Sequence, residues 1–152
     1  ALLARRSCVP WPSFQQSARV LDYRRLGNQR NEALVVYRTI KNPHAMAWKN
    51  HPCTVMWRPY SEALALYHNE IITDWIRRGY NNRMPLLPIQ QTKLRFPPWL
   101  GNTDFHSSHR SALLFKDLNW YSQFGWIEQP RIAYIWPVIH EDSPFTTAFG
   151  EL

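Results

Sequence analysis

Residues 21–38 read LDYRRLGNQRNEALVVYR. Their apolar members recur at helical spacing, not in alternation, and this decides the fold class. Leu26, Ala33, Leu34, Tyr37 and, just beyond, Ile40 mark one side of a helix from Asp22 to about Lys41. Lys41–Asn42–Pro43 ends it, because proline cannot continue a helix. Gly27 weakens it locally. The stretch holds four arginines and a single glutamate, Glu32. Arg25, Gln29, Glu32 and Val36 fall at i, i+4, i+7 and i+11 and share a face, with Arg24 and Arg30 flanking it. Glu32 is therefore expected near the edge of a polar face. An exposed ion pair of little energetic weight would account for it. So would a nucleic-acid surface whose one acid does chemistry.

Working outward, Pro10 and Pro12 keep residues 8–14 extended, and residues 15–22 suit a helical turn or two. A second helix is expected from near Pro59, a first-turn position, to Arg78, with Gly79 as its stop. Its inward stripe is Leu64, Tyr67, Ile71 and Trp75. A proline-punctuated loop covers 81–105, roughly 25 residues and long for a compact domain. Ser107 or Ser108 caps a third helix, about 108–122, with Leu113, Leu114, Leu118 and Tyr121 inward. The tail from Gly125 reads as mostly irregular, packing through Trp126, Tyr134 and Trp136. The expected architecture is all-α: a compact single domain over 1–152, with three main helices and long ordered loops. Residues 1–8 form an N-terminal extension, 9–137 the core and 138–152 a tail.

The chain has 152 residues, 45% hydrophobic, with eight tryptophans and seven tyrosines. That suits one core and excludes a disordered chain. No apolar run approaches the ~20 residues that span a bilayer. The formal net charge of +7 fits a domain that faces a polyanion, DNA or RNA, through a basic face. Cys8 and Cys53 are far apart and in no metal-ligand spacing, which points to a reducing, intracellular compartment. No metal site, zinc motif, phosphate loop or dinucleotide fingerprint is present in the sequence, and no cofactor is expected. The opening ALLARRS is apolar, arginine-bearing and free of acid, like the end of a mitochondrial presequence.

Two further segments could carry chemistry. In HSSHRSALLFK, 106–116, a helix start with two serines, His109 and Arg110 could offer N–H groups and cations to a phosphate; an ordinary capped helix gives the same pattern. In WKNHPCTVMW, 48–57, His51, Asn50 and Trp57 could line a pocket, or form a buried turn with core tryptophans.

Taken together, SFQQSARVLDYRRLGNQRNEAL, WKNHPCTVMWRPYSEALALY with WIRRGY, and FHSSHRSALLFKDLNWYSQFGW with YIWP resemble the pyrimidine-dimer DNA glycosylase family, the group that contains phage endonuclease V. The resemblance is to its bacterial branch, through an R-x-L-D-x-R-R-L-G-x-Q-R-x-E-A-L segment (Arg19 to Leu34) and an S-H-R-S-x-L-L segment (Ser108 to Leu114). It covers roughly 9–137. It implies a compact, mostly helical domain and a DNA repair glycosylase/AP lyase. A free N-terminal amine attacks C1′ of a damaged nucleotide, releases the base and forms an imine, and β-elimination then cuts the strand. An α-amine has a pKa near 8, so part of it is neutral at physiological pH. A glutamate on the first long helix stabilises the positive sugar; Glu32 takes that position. Arg24, Arg25 and Arg30 take basic positions on the same helix, and His109, Arg110 and Lys116 supply a second nucleic-acid-binding segment. The segment ALLA lies ahead of the family's usual start, which aligns near Arg5. Two alternatives follow. Trimming leaves Ser7 or Cys8 first and the enzyme is active, or the chain is a non-catalytic homologue serving as a structural subunit of a large mitochondrial complex, such as a ribosome or membrane assembly.

Overall fold

The structure is a computed structural model and describes residues 8–131, together with the backbone of residues 133–138 and 146–151. The helices are α1 (Phe14–Val20), α2 (Tyr23–Lys41), α3 (Pro52–Trp57), α4 (Ser61–Arg77), α5 (Thr103–Lys116) and α6 (Leu118–Tyr121). Helix is the dominant structure, as expected of an all-α domain. The tail is a correction: Ala133–Val138 (β1) and Thr146–Glu151 (β2) form an antiparallel hairpin, with Ala133 opposite Glu151 and Val138 opposite Thr146. β1 lies against α5 and α3. The expected packing roles of Tyr134 and Trp136 and the expected leader at residues 1–7 fall outside the described residues. No described helix is long and apolar enough to cross a membrane.

α4 is the axle. Leu64, Tyr67, Ile71 and Trp75 are all buried, as their spacing required. α1 and α2 both pack on α4. Phe14 of α1 meets Tyr67 edge-on at 5.4 Å and Trp57 at 6.0 Å. Trp57 in turn meets Trp99 at 4.8 Å. These large rings are the bulk of the core. Truncating a fully buried one such as Trp57 to alanine costs about 3–5 kcal/mol. The long segment before α5 is ordered by this packing, since the Trp99 indole is fully buried and donates to the Met56 carbonyl at 3.1 Å. Chain ends are tied as well. Asp22 precedes α2 and exchanges bonds with the Tyr121 hydroxyl, its N–H donating at 3.1 Å while its carboxylate accepts the phenol proton.

Three boundaries differ from expectation. α3 was hidden in what reads as a connector; His51 caps it, Nδ1 accepting from Cys53 N–H at 3.1 Å, and Pro52 opens it. His51 is thus a cap and Trp57 a core ring, in keeping with the buried-turn alternative for that segment. α5 starts five residues before the expected position, because Asn102 and not a serine caps it, Oδ1 accepting from Phe105 N–H at 2.9 Å. The helix also ends sooner, at Lys116, and Leu118 is exposed.

Candidate functional site

The main correction concerns which face of α2 is inside. Leu26, Gln29, Glu32, Ala33 and Val36 are its buried residues, while Leu34, Tyr37 and Ile40 are only partly covered. The face expected to be polar and exposed is turned inward. Glu32 is 6% exposed. Buried carboxylates need polar company, and Glu32 has it. Gln29, one turn earlier, donates its amide to the Glu32 carboxylate. The other end of that amide, Oε1, accepts from the Cys8 backbone N–H at 3.0 Å and lies 2.6 Å from the Tyr67 hydroxyl. The same hydroxyl is 2.9 Å from the Cys8 carbonyl. These partners fix which end of the amide is oxygen. Glu32, Gln29, Tyr67 and the backbone of residue 8 therefore make one connected polar group beneath the N-terminal strand.

Charge at the site follows from the same geometry. Burial pushes the Cys8 thiol up to about 11, opposed by the Lys116 cation and reinforced by Glu32. Burial also raises the Tyr67 phenol well above its usual range, with Cys8 and Glu32 adding to it. Lys116, on the last turn of α5, is therefore electrostatically part of the Glu32 site. Arg25 acts on the same thiol and pairs with Asp22 at 3.2 Å.

The other predicted residues divide. Arg24 is exposed. Arg30 does not flank Glu32. It sits seven residues from Tyr23, about two helical turns, and so on the opposite face of α2. There it lies 4.1 Å above the Trp75 ring and donates to Asn82 at 2.9 Å. His109 and Arg110 are not at a helix start with free N–H groups. They are in the second turn of α5 and are engaged in structure.

What the His-Ser-Ser-His-Arg-Ser run does is hold both ends of the domain. Val9 is gripped twice: its N–H donates to His109 Nδ1 at 3.1 Å, and its carbonyl accepts from His106 Nδ1 at 2.8 Å. Arg110 donates to the Pro10 carbonyl at 2.8 Å and stacks 4.2 Å over Trp11. With its remaining donors it forms a bidentate pair with Glu128, both bonds 3.0 Å. Ser107 joins Glu128 at 3.0 Å, and Ser111 binds the Gln129 carbonyl. Burial alone would raise the Glu128 carboxyl, but the bonds from Arg110 and Ser107 outweigh it and leave it below its usual range. Sequence reading put Gln29 on the right face without giving it a role, and missed Tyr67 and His106 as site-builders. The one available signal was polar residues at the spacing of an inward stripe.

The family model for pyrimidine dimer DNA glycosylases matches residues 7–87, just over half of the chain, and spans Gln29, Glu32 and Tyr67. The chain belongs to that family. No curated protein and no solved structure matches it significantly.

Proposed function

We propose that the protein is a DNA repair glycosylase/AP lyase whose reaction centre is the space between Glu32 and the N-terminal strand. One observation carries this reading: Gln29 links the Glu32 carboxylate to the backbone nitrogen of Cys8. An amine at or beside residue 8 is then held one side-chain amide away from the carboxylate. That is the arrangement needed for an amine to attack C1′ while an acid steadies the positive sugar. In so dry a site the carboxylate acts with little solvent screening. The His106 and His109 bonds to Val9 fix the strand, and fixed geometry is what such an attack requires. Because Glu32 is covered, Cys8 swings aside to admit the sugar while Val9 stays clamped. Lys116 contributes positive charge for the phosphates on the same side.

The test is covalent trapping. Protein whose native first residue has been determined by mass spectrometry is incubated with duplex DNA bearing an abasic site or a thymine dimer, then reduced with borohydride. An adduct and strand cleavage are expected, with Glu32→Gln retaining DNA binding and losing turnover. No adduct from protein that begins at Ser7 or Cys8 would overturn the reading.

A further inference from the structure

On the side of α2 turned away from Glu32, three rings form a fixed cluster. Tyr23 and Trp75 stack at 5.4 Å with planes 21° apart, and Tyr80 touches both, at 4.8 Å and 4.6 Å. The cluster is built to stay in place. Gly27 lets the indole lie close to α2, since a Cβ there would stand 3.2 Å from Trp75 Cζ3. Gly79, at φ +90°, turns the chain so that Tyr80 folds back onto Trp75. The indole N–H donates to the Asn81 carbonyl at 2.7 Å, and Arg30 covers the rear of the ring. Yet the outer rings face water: Tyr23 is 57% and Tyr80 37% exposed.

The surroundings are cationic. Arg24, Arg77 and Arg83, adjacent in sequence to these rings, are exposed. The nearby acids are buried and committed, Asp22 to Arg25 and Tyr121, Asp74 to Arg77 and Arg78. Rigid exposed rings ringed by unneutralised arginines match the two halves of a single strand, flat bases and phosphates. An apolar protein partner would gain nothing from the arginines.

We propose that Tyr23, Trp75 and Tyr80 form a stacking platform for an unpaired base of single-stranded DNA, distinct from the Glu32 site. The choice of DNA rests on the function proposed above; the platform itself does not depend on catalysis. Preordered rings lose little freedom on binding, so the stacking energy goes into affinity.

The experiment compares a fluorescent oligothymidylate with an equally long, non-cleavable abasic strand by anisotropy. Both carry the same charge, and only one carries bases. Wild type is expected to prefer the thymidylate by about tenfold or more. Tyr23→Ala and Tyr80→Ala should bring the ratio towards one, Tyr23→Phe should keep it, and Glu32→Gln should leave it unchanged even if catalysis is lost. Tyr23 is mostly in solvent, so its variants keep the fold, which melting curves verify. Equal wild-type affinity for the two strands, or a ratio that survives loss of both tyrosine rings, overturns the proposal.

Discussion

His106 donates its Nδ1 proton to the carbonyl of Val9 at 2.8 Å, across 97 residues of chain. Its other ring nitrogen accepts the Gly101 N–H at 2.8 Å. Both bonds need the neutral ring, and protonating the second nitrogen would set it against a donor. Burial accordingly lowers the His106 pKa, outweighing the Val9 bond, and burial lowers that of His68 as well. The unfolded chain then binds protons that the folded chain refuses. The histidine contribution is complete above the ordinary value near 6.5 and is lost as pH falls below it. Glu128, held low, adds a second loss at more acid pH. The melting temperature should rise between about pH 5 and pH 7, and His106→Ala should flatten that rise. The variant also strands two backbone groups, at a cost of about 2–4 kcal/mol by urea denaturation.

Arg110 and Glu128 should behave as a buried pair, not as a DNA contact. Arg110→Ala is expected to cost about 3–5 kcal/mol, because it leaves a covered carboxylate without its partner. Arg77, paired with Asp74 but 53% exposed at its side chain, is the contrast. Arg77→Ala should cost below about 1 kcal/mol. Denaturant titration of both variants checks the difference.

Gln29 is expected to matter twice. Gln29→Leu keeps the bulk but leaves the Cys8 N–H and the Glu32 carboxylate short of a bond, so stability should fall by about 2–4 kcal/mol. Borohydride trapping should also drop by more than the folded fraction does. Tyr67→Phe, which removes one hydroxyl from the same group, should cost about 1–2 kcal/mol.

Cys8 should be inert in the native protein. It is buried, and its thiol is pushed up to about 11, so little thiolate exists at pH 8. Iodoacetamide followed by mass spectrometry should find it unmodified when folded and alkylated after denaturation.

How much of this the sequence showed depends on the distance to each residue's partners. The α4 stripe was plain, since Leu64, Tyr67, Ile71 and Trp75 declare themselves by apolarity alone. α2 misled because Gln29 and Glu32 occupy inward positions, and what satisfies them, residue 8 and Tyr67, lies 21 and 38 positions from Gln29. Gly27 looked like a weak point in a helix and is the space for an indole. Ser107 and Ser108 looked like caps because serine usually serves there, but Asn102 had taken the role. The hairpin was hidden by Pro137 in its first strand, a residue that argues against a strand interior. Glu32 itself was found, by resemblance; its burial was not.

The grip of α5 on Val9 has a consequence for biosynthesis. A growing chain carries Val9 from the start but gains His106 and His109 only about a hundred residues later, and Glu128 later still. Until then the strand over Glu32 has nothing to hold it. The pocket is therefore finished by almost the last part of the molecule to leave the ribosome, and nascent fragments ending before α5 should be inert towards DNA.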